Sequence, residues 1–218
     1  MDALEAMRTI GACRSYLDKE VPDEVIYDAA EAARFAPQGG NRQPVRLVVV
    51  RDRVKKERLA ELYLPWWKAY FDAAEAGTRD LGEYASARKA LMNANQFAEN
   101  FANHPLIIVV CARLDALHIT DLELDRPPVV GGASIYPYVQ NLCIALRVAG
   151  VATTITSLAV ASEPEVKELL GIPDGFLTAA HVVAGYPAKG FPVKLTRAPV
   201  EETVFIDTFG EPIERNRL

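Results

Sequence analysis

The stretch Ala32-Ala-Arg-Phe-Ala-Pro-Gln-Gly-Gly-Asn-Arg-Gln-Pro44 joins the end of a predicted helix to the start of a predicted strand. Apolar residues share one face of residues 22–34, which predicts the helix. The proline and the glycine pair then break it, because they favour backbone angles that a helix cannot hold. Glycines also let backbone amides approach a ligand, and Asn41 and Gln43 add side-chain amides. The stretch alone fits a ligand-binding loop as well as a plain helix-to-strand turn.

The elements around this stretch are a few short strands and several long helices. Buried strands are predicted at 47–50, 106–111 and 179–184, with a β-prone segment at 151–157 and a further edge strand at 204–206. Helices are predicted at 53–63, 133–148 and 163–170, with two more within 63–101 that are joined near Gly77. This pattern predicts an α+β fold, or a mixed α/β sandwich, in a single domain over residues 1–218.

The composition argues against several classes of protein. Half of the 218 residues are hydrophobic and the net charge is -5, as in an ordinary globular chain rather than a disordered one. This mild acidity disfavours nucleic acid or an anionic membrane as the main partner, because both require a basic surface. Cys13, Cys111 and Cys143 lie far apart in the sequence, which predicts reduced, mostly buried thiols and a cytoplasmic protein.

The familiar catalytic motifs are absent from the sequence. The histidines, His104, His118 and His181, are scattered without the spacing of a zinc site, so no metal is expected. There is no Gly-x-Ser-x-Gly elbow and no P-loop. A Gly-x-Gly-x-x-Gly fingerprint is also missing, which argues against a Rossmann-type nicotinamide site. The glycine-containing stretch at 32–44 is therefore the candidate that remains.

Several segments, taken together, resemble the flavin-dependent nitroreductase family. Residues 33–45 match most of the family pattern Ala-Arg-x-Ala-Pro-Ser-x-x-Asn-x-Gln-Pro-Trp, with Gln38 in place of a frequent serine and Val45 in place of the tryptophan. Residues 135–142 and 149–156 are similar to the family's core helix and to its segment against the flavin ring. Residues 185–187 and 197–204 are similar to its C-terminal signature, so the matches extend in order over nearly the whole chain.

The resemblance implies a homodimeric enzyme with FMN bound at the subunit interface. Family members take a hydride from NADH or NADPH and reduce a nitroaromatic, quinone or similar acceptor in a separate half-reaction, which predicts ping-pong kinetics. The implied fold is a mixed sheet sandwiched by helices, with a C-terminal extension, here residues 198–218, that lies on the partner. Because the cofactor carries the redox chemistry, no catalytic acid or base is named.

The phosphate end of the implied FMN site departs from the family pattern. Arg14 would reach the phosphate or ribityl chain, and Arg197, aided by Lys194, would hold the phosphate, because arginines are natural partners of a dianion. The family usually opens with an Arg-Arg-Ser-like phosphate grip, where this chain has Ile10-Gly11-Ala12. The loss of a contact there predicts weaker FMN binding, unless Arg8 replaces it. The alternative is that Arg14 and Arg197 are solvated surface charges.

The ring end of the implied site comes from two segments. The resemblance places Gln38, Gly39 and Asn41 against FMN from the neighbouring subunit, while Gln43 supports that loop or the flavin. In the other segment a backbone N–H would point at flavin N5, and the residues lining the ring would be Thr154, Ile155, Thr156 and Ser157. The alternative is that these threonines only fill a strand.

Aromatic residues are concentrated in the region 63–101. They are interpreted either as core and interface residues or as a lid over the flavin, where flat substrates stack on the ring. The lid candidates are Trp66, Trp67, Tyr70 and Tyr84. Because this region varies within the family, it is expected to determine the choice of substrate.

Two other functions stay open at this stage. Relatives with long lids dehalogenate aromatic rings reductively or act on other specialised substrates, and a deiodinase-like branch uses a Glu, a Tyr and a Lys of the lid. That trio has no clear counterpart in this sequence. A module that stores or sequesters FMN without turnover is the second alternative, and the departure at Ile10-Gly11-Ala12 favours it.

Overall fold

Four strands form a central sheet in the order β1-β2-β4-β3. The computed structural model describes residues 1–77, 87–193 and 195–214. The strands are β1 (Val45–Val50), β2 (Leu106–Arg113), β3 (Ala152–Thr156) and β4 (Phe176–Gly185). Within those described ranges the strand pairs are all antiparallel, whereas the resemblance implied a mixed sheet. β1 and β3 are the two edge strands, on opposite sides of the β2–β4 centre.

Helices cover both faces of this sheet, which confirms the α+β class predicted from the sequence. They are α1 (Ala3–Thr9), α2 (Asp23–Ala33), α3 (Arg53–Glu75), α4 (Ala87–Glu99), α5 (Tyr136–Val148) and α6 (Glu163–Leu170). The helices α2 and α5 pack on one face of the sheet, and α3 and α4 contribute to the core on the other.

The central strand β2 supplies both halves of the core. Leu106, Ile108 and Val110 belong to the cluster with α2 and α5, while Ile107 and Val109 belong to the cluster with α3 and α4. All five are fully buried, which explains the unbroken apolar run in the sequence. Each such side chain contributes about 1.5–3 kcal/mol through burial. The two clusters therefore fix the sheet as a rigid frame for its edges.

The helix α3 is longer than the sequence predicts. It extends without interruption from Arg53 to Glu75, whereas the sequence suggested a helix at 53–63 followed by separate helices. Pro65 lies inside it and removes one backbone donor. Burial of Tyr63 and Trp67, which flank the proline, stabilises the helix by tertiary packing.

The chain ends differ from the sequence expectation at both termini. The helix α1 begins after Asp2, whose side chain accepts a hydrogen bond from the Glu5 amide, and the sequence analysis missed it. The predicted edge strand at 204–206 is wrong, because in the described residues this segment pairs with the tail itself, through a bridge from Phe205 to Pro212. The Phe209 side chain is 91% exposed, so the hairpin carries apolar surface to solvent.

None of the described helices is both long enough and apolar enough to cross a membrane.

Candidate cofactor site

A cavity of about 720 Å³ lies beside the end of β3. Its floor is formed by the four residues 155–158, and Arg14 closes one side. The helices α3 and α4 form the opposite wall with Trp66, Trp67, Ala69, Tyr70, Ala90, Leu91 and Ala94. The cavity thus combines one cationic side chain, a backbone turn and an aromatic wall.

The position of Arg14 is fixed by a segment that runs along the edge of the sheet. The Cys13 amide donates to the Thr153 carbonyl at 2.9 Å, and the Leu17 amide donates to the Tyr186 carbonyl at 2.8 Å. Between them, the buried Tyr16 hydroxyl donates to the Cys13 carbonyl at 2.6 Å. Burial raises the pKa of the Tyr16 phenol, which keeps it a neutral donor. These bonds hold the backbone on both sides of Arg14.

The floor of the cavity is the turn that follows β3. Ile155 is 46% exposed, and Thr156 and Ser157 also line the cavity. Thr154 does not, because it is buried and its hydroxyl donates to the Cys13 carbonyl. Of the four residues predicted to line a flavin ring, three therefore face the cavity, while Thr154 fixes the segment that carries Arg14.

The aromatic wall is held by polar contacts of its indole groups. Trp66 Nε1 donates to Ser162 Oγ at 2.8 Å, and Trp67 Nε1 donates to Asn95 Oδ1 at 2.8 Å. The rings of Trp67 and Tyr70 stack with centroids 5.5 Å apart. Three of the four lid candidates thus lie on one wall, while the fourth, Tyr84, falls outside the described residues.

Sequence reasoning missed the remainder of this wall. Leu158 and the α4 residues Ala90, Leu91 and Ala94 also line the cavity. Small and apolar residues in the second half of the 63–101 region carry little chemistry of their own, so no motif marks them. The amphipathic spacing along α4 was the only available signal, and it predicts a buried face rather than a site.

The loop that contains Gln38, Gly39, Asn41 and Gln43 lies at the opposite edge of the sheet, immediately before β1. Three inter-strand spacings separate the edge strands, which amounts to about 14 Å. One chain therefore does not bring this loop to the cavity beside β3. This position is compatible with the expectation that the loop contacts a cofactor held by another subunit.

The loop has an unusual backbone and an unpaired side-chain atom. Gly40, Asn41 and Gln43 have φ values of 60°, 50° and 49°, a region that favours glycine. The Gly39 amide donates to Ser134 Oγ at 3.0 Å. Gln38 Nε2 reaches the carbonyls of Arg34 and Ala36 at 3.4 Å, whereas its Oε1 is buried without a hydrogen-bond partner. One buried side-chain oxygen of the loop therefore has no hydrogen bond within its own chain.

Of the two C-terminal residues predicted to hold the phosphate, Arg197 is described by the structure and is not among the residues that line the cavity. Arg197 is exposed and donates to the Thr196 carbonyl at 2.7 Å, and Lys194 lies outside the described residues. Gly11 sits where the N-terminal segment crosses the C-terminal one: a Cβ there would meet Pro192 at 3.2 Å and Leu195 at 3.3 Å. A glycine at this place therefore permits the close crossing that a larger residue would disturb.

The described core contains other polar groups besides those at the cavity. Within the described ranges no group of three His, Cys, Asp or Glu side chains is arranged to hold a metal ion. His181 is fully buried in β4 beside Thr156 of β3, and neither ring nitrogen has a hydrogen-bond partner. Burial lowers the pKa of His181 to about 4, so the imidazole is neutral near pH 7.

Comparisons with known proteins agree on one family. The sequence model described as the nitroreductase family matches residues 8–186. An NADH dehydrogenase from Thermus thermophilus is 28% identical over 94% of this chain and 95% of its own length. An FMN reductase (NAD(P)H) from Bacillus subtilis is 23% identical over 95% of this chain and 74% of its own length. A solved nitroreductase with bound FMN from Desulfitobacterium hafniense has the same fold, with a TM-score of 0.66 at 21% identity over 94% of this chain and 98% of that one.

Proposed function

The chain belongs to the nitroreductase family, and we propose that it is an FMN-dependent oxidoreductase that oxidises NADH or NADPH and reduces a nitroaromatic, quinone or similar acceptor. The names of its relatives support this function, because one is an FMN reductase that uses NAD(P)H and another is an NADH dehydrogenase. The similar structure from Desulfitobacterium hafniense carries FMN.

The observation that carries the proposal is the cavity beside β3. The turn at 156–158 lines the cavity and would place a backbone N–H at the polar edge of a flavin, while small side chains on α4 leave room for a flat ring. Arg14 supplies a positive charge at this cavity, within reach of the ribityl chain of the dianionic cofactor. The unsatisfied Gln38 Oε1 of the loop at the other edge adds an acceptor for a group outside its own chain. The residues present thus fit FMN.

FMN supplies the redox chemistry when bound, accepting a hydride from NAD(P)H and passing electrons to the acceptor. The chain orients the cofactor and shields it from solvent. Arg14 balances the negative charge of FMN, and the 156–158 turn directs a backbone N–H at the flavin edge. Trp66 and Tyr70 offer a surface on which flat substrates can stack. Because nicotinamide and acceptor share this cavity, they bind in turn, and ping-pong kinetics are expected. A cavity that remains open beside the turn favours turnover over mere storage of FMN.

The site is completed by a second copy of the chain. The loop with Gln38, Gly39 and Asn41 lies at the edge opposite the cavity, so it can contact a cofactor only in another subunit. Exposed apolar residues of the tail, among them Ile206 and Phe209, provide surface for the same partner. This arrangement supports a homodimer with two equivalent sites.

The absorption spectrum of the purified protein tests the proposal. We expect a yellow protein that is bleached anaerobically by NADH or NADPH and regains its colour when menadione or a nitroaromatic is added. Steady-state rates should give parallel double-reciprocal lines. A protein that stays colourless in excess FMN, or a bound flavin reduced only by dithionite, contradicts the proposed function.

A further inference from the structure

Arg147 is a buried cation without an anionic partner. It lies in the last turn of α5 and is only 7% exposed. No carboxylate of the described residues forms an ion pair with it, and its Nε has no hydrogen-bond partner. Arginines buried to this extent are normally paired, because removing the charge from water is costly.

The contacts that Arg147 does make compensate only part of that cost. The carbon at the centre of its guanidinium lies 3.6 Å from the centroid of the Phe191 ring, a cation–π contact. The carbonyl end of α5 also favours a positive charge. Neither contact supplies a counter-charge or an acceptor for Nε. A planar donor fork held in this way is suited to an oxyanion such as a phosphate.

Arg147 is linked through Phe191 to the segment where the family's phosphate grip is missing. Its stacking partner Phe191 is next in the chain to Pro192, and Pro192 contacts the backbone at Gly11. Gly11 is the middle of the Ile10-Gly11-Ala12 segment that replaces the Arg-Arg-Ser grip. The chain thus lacks arginines at 10–12 and has a buried arginine against the segment that crosses there.

The direction of β3 links this crossing to the cavity. The strand begins at Ala152, shortly after Arg147, and ends at Thr156, where the cavity begins. Its five residues span about 13 Å at 3.3 Å per residue. The Cys13 amide, bound to Thr153, keeps the Arg14 segment alongside the strand. An elongated ligand with a flat ring at one end and a phosphate at the other matches these positions.

We propose that Arg147 binds the terminal phosphate of FMN and replaces the missing N-terminal grip. This inference rests on the proposed function, and it adds a residue that the family pattern does not mark. Two other anions would present similar chemistry, namely the pyrophosphate of NAD(P)H and a carboxylate of a second subunit. The phosphate of FMN is favoured because the crossing at Gly11 lies on the same edge as Arg14.

The test compares FMN with riboflavin, which lacks only the phosphate. Dissociation constants of both flavins are measured by fluorescence for the wild type and for Arg147→Met, Arg147→Lys and Arg58→Met. In Arg147→Met, FMN binding should weaken about 10- to 100-fold, while riboflavin binding stays unchanged. Arg147→Lys should recover part of the loss because it keeps the charge. Arg58 pairs with Glu61 on the surface of α3, so its variant should bind both flavins as the wild type does.

Thermal unfolding of the flavin-free proteins separates binding from folding. Removing an unpaired buried charge should leave the Tm of Arg147→Met equal to or above that of the wild type. The increase in Tm caused by FMN should be smaller in the variant. A lower Tm without flavin, together with equal loss of FMN and riboflavin affinity, would show a structural role and overturn the proposal.

The other two anions predict different results. If Arg147 serves NAD(P)H, the variant raises KM for the nicotinamide at saturating FMN while the preference for FMN over riboflavin is unchanged, which overturns the proposal. If it pairs with a second subunit, sedimentation shifts towards monomer with that preference unchanged, which also overturns it. If the wild type binds FMN and riboflavin equally, the phosphate role of Arg147 is rejected and the proposed function is not. If the wild type binds neither flavin, the proposed function itself is rejected.

Discussion

The two edges of the sheet carry very different backbone at the positions assigned to the cofactor. At the β3 edge, the turn at 156–158 and Arg14 are held by hydrogen bonds within one chain. At the β1 edge, the loop at 38–43 has three residues with positive φ and a buried glutamine oxygen without a partner. The β3 edge is therefore stabilised by its own chain, whereas the loop at the β1 edge has a polar atom without a hydrogen bond in its own chain. The proposed dimer accounts for this difference, because one chain would then supply two unlike halves to two separate sites.

The largest effect is expected from reversing the charge of Arg14 at the β3 edge. Arg14→Glu places a carboxylate in the cavity, where it repels the dianionic cofactor. We expect FMN affinity to fall at least about 100-fold, because a charge-assisted bond is lost and a repulsion is added. Arg58→Glu makes the same change of charge on the surface of α3 and should leave FMN affinity unaltered. Fluorescence titration measures both; equal affinities in the two variants would remove Arg14 from the site.

Acid should lower the free energy of unfolding, because the buried His181 beside β3 resists protonation in the folded state. Burial lowers the pKa of His181 to about 4, and an unfolded histidine titrates near 6.5. The unfolded state therefore takes up a proton first, and stability falls as pH decreases from about 6.5 to 4, by about 3 kcal/mol in all. Above pH 6.5 this contribution does not change.

The variant His181→Leu tests this dependence, because leucine has a similar size and does not titrate. Urea unfolding at several pH values should show a flatter acid limb in the variant, with equal or higher stability at pH 7. If the stability of His181→Leu falls as steeply with decreasing pH as that of the wild type, groups other than His181 cause the loss. Thr156 pairs with His181 across the strands, so the cavity floor should loosen together with this loss.

A valine in place of Gly40 tests whether the loop at 38–43 binds the cofactor. Gly40 and Gly171 both have positive φ, 60° and 67°, so Gly40→Val and Gly171→Val should each cost about 1–2 kcal/mol of stability. Gly171 ends α6 at a distance from both halves of the site and serves as the matched control. FMN affinity should fall only in Gly40→Val. Equal flavin affinities at matched stability would exclude the loop from the site.

The smallest effect is expected in the aromatic wall. Trp66→Phe loses the 2.8 Å bond to Ser162, about 1 kcal/mol, at a side chain that is 45% exposed. We expect a raised KM for flat acceptors with FMN affinity unchanged. Trp67→Phe loses a bond of equal length to Asn95 but is only 6% exposed, so stability should fall instead. The same response in both variants would argue that the wall does not select substrates.

The sequence predicts the local features of this architecture better than its tertiary ones. The helix at Asp23–Ala33 and the loop before β1 follow from apolar spacing, proline and glycine, which act within a few residues. The continuity of α3 through Pro65 depends on the burial of Tyr63 and Trp67, which no local pattern contains.

The same contrast between local and tertiary features applies to the residues of the candidate site. The resemblance led to Arg14 and to the segment 155–157, and the structure places them at one cavity. Arg147 was missed because an arginine at the end of a helix is an ordinary surface pattern, and only the fold buries it. Thr154 was assigned to the ring, but it is buried and its hydroxyl donates to the Cys13 carbonyl.

Sedimentation velocity, recorded at a protein wavelength and at a flavin wavelength together, tests the central claim most directly. If two chains build each site, bound flavin sediments only with a species of two chains, and dilution releases flavin as the dimer dissociates. Flavin that sediments with single chains at full occupancy would contradict a site built from two unlike halves.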